Sequence, residues 1–292
     1  MTQVSENTNQ AAVAKKELQD QIISQVENLV NLGNIMLPSG YHVGNAIRSA
    51  FLVLQDVKDK NGKAAMEVCT KGSVANSMLK MVTQGMNPAL NQCYFMVAGN
   101  QLVYMRSYMG GIALSKRIAG VKEVNANVIY AKDEYVSEIN TDTGRRRLIK
   151  HTSPFDNRDD ANIKGAYAIV IFTDGTSRLE EMTLAEIKKS WNMGAAKGGS
   201  PAHSGFTGEM AKKTAISRAL KIAINSSVES ENMDDDSESD LAAPDAAMKL
   251  AKEQKANSVS IDFDEEATIV EEKPEPQQPE TPKQQAQAKM DF

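Results

Sequence analysis

Cysteine is scarce in this chain, since only Cys69 and Cys93 occur among its 292 residues. So few cysteines exclude a disulfide framework and argue against a zinc site. The chain also lacks any apolar run near the roughly 20 residues that cross a bilayer. Its N-terminus has neither the basic nor the apolar segment of a signal peptide. We therefore expect a reduced, cytoplasmic protein.

The signatures of nucleotide use and of most catalysis are missing as well. The sequence contains no G-x-x-x-x-G-K-[ST] phosphate loop, no G-x-G-x-x-G after a strand and no G-x-S-x-G elbow. Asp174 followed by Glu186 and Lys188 is faintly similar to the D…E-x-K pattern of metal-dependent nucleases. Glu186 also closes a capping box that begins at Thr183, which makes helix stabilisation its simpler role. We expect a protein that is not an enzyme and uses no cofactor or metal.

Charge is distributed unevenly along the chain. Residues 1–40 hold 2 basic and 4 acidic side chains, residues 41–228 hold 25 and 16, and residues 229–292 hold 6 and 18. The three segments carry −2, +9 and −12, which gives the net charge of −5. A basic body with an acidic tail is typical of proteins that bind polyanions. The tail either maintains solubility, competes with the bound polyanion or recruits a partner protein.

Hydrophobic periodicity and turn residues predict the secondary structure. Helices are expected at 17–32, 43–57, 70–85, 108–119, 183–191 and 209–224. Strands are expected at 92–98, 101–106, 121–131, 135–139, 147–151, 166–173 and 177–182. The pattern predicts an α+β fold, with a mostly antiparallel sheet that includes a β-hairpin, and with flanking helices.

Three segments of the chain do not fit this pattern of helices and strands. Residues 1–16 are polar and are predicted to be disordered. Residues 194–208 are rich in glycine and are predicted to form a flexible connection. Residues 229–292 are acidic and rich in Pro and Gln, and they are predicted to be largely disordered because they cannot bury enough apolar area to offset their ordering entropy. The folded body is therefore expected at 17–228.

Cations interleaved with aromatic side chains stand out within the body. A protein that follows a nucleic-acid strand needs Lys and Arg for the phosphates and planar groups on which bases stack. Tyr104, Arg106 and Tyr108 alternate at the end of a predicted strand, where one face would present all three. Lys116 and Arg117 follow on the next helix. The alternative is that the tyrosines pack inside the protein.

Further cations occupy a closing helix and two loops. Lys212, Lys213, Arg218 and Lys221 lie in a helical segment, 212–224, that contains no acid to offset them. This segment is either a track for phosphates or a solvated surface. The remaining candidates are Arg145, Arg146, Arg147 and Lys150 on a predicted hairpin, and Lys197 in the glycine-rich connection. Each of them is either a DNA contact or a plain exposed residue.

Several short strings follow one another in order along residues 45–225. They are Cys69-Thr70-x-x-Ser73, Gly85-Met86-Asn87-Pro88, Tyr94, Tyr108-Met109-Gly110-Gly111-Ile112-Ala113-Leu114 with Arg117, His151-x-x-Pro154, Lys164-Gly165-Ala166-Tyr167-Ala168, and Glu209-Met210-Ala211-Lys212-Lys213-Thr214. In order and spacing they resemble the RecT family of phage single-strand annealing proteins. Two places depart from the family pattern: Met96-Val97-Ala98-Gly99 replaces a Val-Pro-Tyr segment, and Gly205-Phe206 stands near the place of a Gly-Pro-Trp.

The resemblance implies a protein that binds single-stranded DNA and anneals complementary strands without ATP. It also implies a homo-oligomer, as a ring or helical filament, that holds the annealed duplex intermediate and works in a bacterial host cytoplasm. A phage 5′→3′ exonuclease and a host single-strand-binding protein are the expected partners. Residues 17–228 then form the DNA-binding and annealing domain, with the helices of 17–57 used in packing or oligomerisation.

The same resemblance directs attention to particular residues. It places DNA contacts at Lys164, Lys212 and Lys213 and in the region 106–117, with Phe206 replacing an aromatic residue of the family. Two alternatives remain beside annealing. A passive protector of the OB type would coat single strands without accelerating their pairing, and a metal-dependent nuclease would cut them.

Overall fold

A computed structural model describes residues 2–194 and 197–227, all within the compact unit Met1–Ile261. The first helix, α1, spans Thr2–Asn31. This helix includes residues 2–16, for which the polar composition predicts disorder. No Pro or Gly occurs before Gly33, so nothing in the sequence ends this helix earlier. The acidic tail at 229–292, predicted to be disordered, lies outside the described residues.

The remaining elements confirm the α+β prediction and its antiparallel pairing. The longer helices are α2 (Val43–Leu54), α4 (Lys71–Thr83), α5 (Tyr108–Ile118), α6 (Leu184–Met193) and α8 (Thr207–Asn225). Two short helices were not predicted, α3 (Ala65–Val68) and α7 (Pro201–Gly205), and the latter lies inside the glycine-rich connection. The strands are β1 (Cys93–Ala98), β2 (Gln101–Arg106), β3 (Val121–Tyr130), β4 (Glu134–Ile139), β5 (Arg146–Thr152), β6 (Ile163–Phe172) and β7 (Ser177–Thr183).

The strands form three separate antiparallel sheets in the described part of the chain. Strands β1 and β2 form a hairpin that turns at Gly99, whose φ of +65° suits glycine. Strands β4 and β5 form a second hairpin. The third sheet has the order β3-β6-β7, with its β6–β7 turn at Gly175.

One face of the three-stranded sheet is covered by α8. In β6 the alternate residues Ala166, Ala168 and Val170 are buried, and the register pairs Ala168 with Glu180 of β7. Glu180 forms an ion pair with Arg218 of α8, which identifies this face as the one beneath α8. Small side chains at the contact allow the helix to approach the sheet closely.

The opposite face of the same sheet is covered by the β4–β5 hairpin. Tyr167 of β6, Ile129 of β3 and Leu179 of β7 form a buried cluster on that side. Tyr135 and Leu148 of the hairpin pack against this cluster. The hairpin and α8 therefore lie on opposite faces of one sheet.

The N-terminal helices pack with the β1–β2 hairpin around a separate set of buried side chains. Ile22, Ile47 and Met78, from α1, α2 and α4, are fully buried. Two serines join α4 to β2: the Leu102 N–H donates to Ser73 Oγ at 3.1 Å, and Ser77 Oγ donates to the Leu102 carbonyl at 2.7 Å. These bonds satisfy backbone groups that are buried at the contact.

Candidate nucleic-acid interface

Helices α5, α6 and α8 pack beside one another on the same face of the three-stranded sheet. We call this group the helical layer. Their sequences hold eight Lys or Arg and only two acids, which gives a net charge of +6. The acids are Glu186 and Glu209. A surface this unbalanced attracts polyanions.

Packing within the helical layer turns the cations of α8 outward. Gly111 of α5 faces Leu220 of α8, where an added Cβ would make an ordinary van der Waals contact at 3.7 Å. Ala211, Ala215 and Leu220 of α8 are buried. The positions left at the helix surface include the predicted stripe of Lys213, Ser217 and Lys221, all half-buried along their length. Lysine stems commonly lie on apolar surface in this way while the ammonium remains in water.

Two other cations of α8 have acidic partners from outside the segment 212–224. Lys212 pairs with Glu209 at 2.6 Å, and Arg218 pairs with Glu180 at 2.9 Å. Glu209 lies three residues before Lys212 and Glu180 lies on β7, so the absence of acids within the segment did not predict either pair.

Trp191 of α6 is a planar group that the sequence analysis overlooked. Its indole N–H donates to Thr214 Oγ1 of α8 at 2.8 Å, directly beside Lys213. Its ring lies 4.5 Å from the ring of His203, centroid to centroid. Lys188 and Lys189 are exposed on the same helix. The signal in the sequence was the presence of a single tryptophan two residues after a lysine pair.

The connection from α6 to α8 brings two predicted residues to the border of the helical layer. Phe206 is 66% exposed and immediately precedes α8. Lys197 is exposed and has a φ of +45°, a left-handed conformation that is uncommon for lysine. An exposed aromatic ring beside a cationic helix is suited to base stacking.

Three of the four cations of the β4–β5 hairpin form ion pairs with nearby carboxylates. Arg146 pairs with Glu181, Arg147 with Glu138 at 2.5 Å, and Lys150 with Glu134 at 2.8 Å. Residues 134–152 hold four cations and three acids, a net charge of +1. Because the hairpin covers the face opposite α8, its exposed Arg145 and these three cations do not join the helical layer.

A model of the RecT family matches residues 44–251, more than two thirds of the chain. The chain belongs to the RecT family. Protein RecT of Escherichia coli (strain K12) is 28% identical over 167 residues, which is 54% of this chain and 60% of that relative. The matched part thus spans less than two thirds of the relative's length.

Several RecT-family residues of this chain have structural roles. Tyr104 is 2% exposed and Arg106 is 4% exposed, which corrects the prediction that they present a DNA-binding face. Both side chains donate to the buried Gln84 Oε1 at 3.0 Å. Tyr108 begins α5 and is half-buried, so it does not continue the strand face of the other two.

Two further residues of α5 differ in what they contact. Arg117 donates to the backbone carbonyls of Gln84 and Gly85, at the C-terminal end of α4. A cation at this position stabilises the helix because it meets the negative end of the helix dipole. Lys116 is exposed on the helical layer. Of the predicted pair, Lys116 is therefore the better placed for a phosphate.

The glycines of the RecT-family strings allow close backbone approach. A Cβ at Gly110 would lie 2.0 Å from the carbonyl oxygen of Gln92, and a Cβ at Gly165 would lie 2.2 Å from that of Met182. Neither position can accept a side chain without moving the backbone. Lys164, next to Gly165, is exposed at the N-terminal end of β6.

His151 belongs to a polar network between the β4–β5 hairpin and the sheet. Its Nδ1 lies 3.0 Å from Tyr167 Oη, and its Nε2 lies 3.2 Å from Asp133 Oδ2. Burial works to raise the pKa of Asp133, but hydrogen bonds from the Tyr130 N–H, Asn157 and His151 hold that pKa below its ordinary value. The network anchors the hairpin on the sheet.

The two carboxylates of the nuclease-like pattern bind their own local backbone. Asp174 accepts from the Thr176 hydroxyl and N–H, and both bonds lower its pKa. Glu186 completes the predicted capping box with Thr183, whose N–H and hydroxyl lower its pKa. Within residues 2–194 and 197–227, no group of three His, Cys, Asp or Glu side chains is placed to hold a metal ion.

No helix in those ranges is long and apolar enough to span a membrane.

Proposed function

We propose that the protein binds single-stranded DNA along the helical layer and anneals complementary strands without ATP. The observation that carries this proposal is the net charge of +6 on three helices packed side by side. Membership of the RecT family supports it, because the resemblance implies this activity. The proposed function requires neither catalysis nor a cofactor.

The proposed mechanism is electrostatic. Lys213, Lys221 and Lys116 hold phosphates, while Phe206 and Trp191 offer planar surfaces to bases. Lys197 contributes from the connection before α8, and Lys164 from the end of β6. Phosphate contacts carry no base information, so binding does not depend on sequence. The base edges stay open, and pairing with a second strand supplies the free energy of annealing.

Assembly extends the same proposal to longer DNA. A homo-oligomer, as a ring or helical filament, would join the helical layers of many protomers into one continuous track. Such a track keeps the strand extended and offsets the repulsion between two approaching phosphate backbones. The annealed duplex is then an intermediate on the protein. An exonuclease that exposes the strand and a host single-strand-binding protein are the proposed partners.

Annealing of two complementary oligonucleotides, followed by fluorescence without ATP, tests the function. We expect pairing to be faster than with DNA alone when enough protein is present to cover the strands, with rings or filaments visible by electron microscopy. A protein that coats the strands and leaves pairing no faster is a passive protector, and annealing is then wrong. Shortened DNA in the presence of Mg²⁺ or Mn²⁺ would instead identify a nuclease.

Salt dependence tests the electrostatic mechanism separately from annealing. The affinity for a single strand should fall with a log–log slope of about 0.7 for each phosphate neutralised, so one phosphate at each of the five lysines named above gives a slope of about 3.5. A fluorescence titration between about 50 mM and 200 mM salt measures this slope. An affinity independent of salt would contradict the mechanism.

A further inference from the structure

A groove of about 450 Å³ lies at the C-terminal end of the helical layer. It runs between the ends of α5 and α8, and Ile118, Phe172 and Ile222 give it an apolar floor. Arg178 and Ser227 also line it. Lys221 precedes Ile222 directly, so the groove opens beside the cationic stripe of α8.

The chain leaves the described part of the molecule at this groove. Ser227, the last described residue, lines the groove. The next segment, residues 229–240, holds seven acids and no Lys or Arg. Seven negative charges therefore begin two residues beyond a groove whose neighbouring helices carry a net +6.

The length of this acidic segment matches the surface it would cover. Twelve extended residues reach about 40 Å at roughly 3.3 Å per residue. Helix α8 has 19 residues and is about 28 Å long at a rise of about 1.5 Å per residue. The segment can therefore turn back at the groove and follow α8 past Lys221 and Lys213. A short tether gives it an effective concentration in the millimolar range.

We infer that residues 229–240 bind the cationic stripe of α8 in the same chain when no DNA is present. Its carboxylates face Lys213, Lys221 and Arg178. The segment thus occupies the helical layer as an internal polyanion, and DNA must displace it. The displacement by DNA rests on the proposed function, whereas the binding of the segment to α8 is independent of that function.

Carbodiimide cross-linking of the full chain without DNA tests the contact itself. This reagent joins amines to carboxylates in direct contact, and mass spectrometry locates the joined residues. We expect Lys213 or Lys221 to be linked to acids of 229–240. When isotopically light and heavy protein are mixed, both linked residues should carry the same label, which shows that the link forms within one molecule. The links should disappear in high salt. No link to these two lysines, or links only between molecules, would overturn the inference.

Matched neutralisation of the tail tests the competition with DNA. One variant replaces the seven acids of 229–240 by Gln or Asn. The control replaces seven acids farther along: Asp262, Asp264, Glu265, Glu266, Glu271, Glu272 and Glu275. We expect the first variant to bind a single-stranded oligonucleotide at least tenfold more tightly at low salt, and the control to change less than threefold. Equal gains in both variants, or none in the first, would overturn the competition.

The two readouts separate this inference from the proposed function. If the cross-links form but neither the wild-type chain nor the variants bind DNA, the proposed function is wrong and the internal contact stands. If DNA binding is normal but the cross-links are absent, the function stands and the internal contact is wrong.

Discussion

The helical layer and the β4–β5 hairpin are both rich in cations, but they differ in what surrounds those cations. The hairpin has the denser run, with Arg145, Arg146 and Arg147 in sequence, yet its net charge is only +1. The helical layer spreads its cations over three helices and keeps +6. Density of positive charge in the sequence therefore does not identify the positive surface of the folded protein.

The cause of this difference is the geometry of the two kinds of element. In an antiparallel pair, each residue faces a partner across the strands. The register places Glu138 opposite Arg147, and Lys150 reaches Glu134 diagonally. A helix has neighbours three and four residues away instead. Along the stripe of α8, Ser217 lies four residues from both Lys213 and Lys221.

Reversal of charge at Lys213 and Lys221 gives the largest expected effect. The double substitution Lys213→Glu and Lys221→Glu should weaken binding to a single-stranded oligonucleotide on the order of 100-fold at low salt, since it puts two anions on the phosphate track. Fluorescence anisotropy measures the loss, and a thermal melt checks that the fold persists. A loss below threefold would remove α8 from the interface.

Removal of the Phe206 ring should have an intermediate effect. Stacking on an aromatic side chain contributes about 1–3 kcal/mol per base, so Phe206→Ala should weaken binding by roughly tenfold. The matched control is Phe155→Ala, another exposed ring, 79% accessible, which follows the hairpin. Equal losses in both variants would show that the position beside α8 has no special importance.

Reversal of charge on the hairpin should have a small effect. Arg147→Glu with Lys150→Glu changes the net charge by the same amount as the α8 double variant. We expect less than a threefold loss of DNA affinity, because both cations lie across the sheet from the helical layer. The same anisotropy assay measures it. A loss equal to that of the α8 variant would break the distinction between the two regions.

Loss of the buried Arg106 should leave DNA binding unchanged. Arg106→Met removes one of the two hydrogen bonds that Gln84 Oε1 accepts in the interior, and a hydrogen bond from a charged group contributes about 1.5–3 kcal/mol to the unfolding free energy. Urea denaturation measures this loss. The salt slope of DNA binding should stay the same. A slope that falls by about 0.7 would mean that Arg106 contacts a phosphate after all.

Local signals in the sequence predicted much of the fold. The capping box of Thr183 and Glu186 is determined by two residues three positions apart, and it is present at the start of α6. The helical continuation through residues 2–16 was missed because polar composition suggested disorder there.

The site was harder to predict because its decisive contacts join distant parts of the chain. Gln84 binds Arg106 across 22 residues, and Glu181 binds Arg146 across 35. Glu180, the partner of Arg218, comes from β7 rather than from the helix. Such contacts bury or neutralise a cation without leaving a local pattern. Trp191 was overlooked for the same reason, since its partner Thr214 is 23 residues away.

Photocross-linking to DNA tests the central claim most directly. A photoreactive benzoylphenylalanine is placed in the full chain either at Ser217, between the two lysines of α8, or at Val136, which is 45% exposed on the hairpin. With a labelled single-stranded oligonucleotide, the helical-layer account predicts strong cross-linking from position 217 and background from position 136. Cross-linking from position 136 with none from position 217 would contradict it.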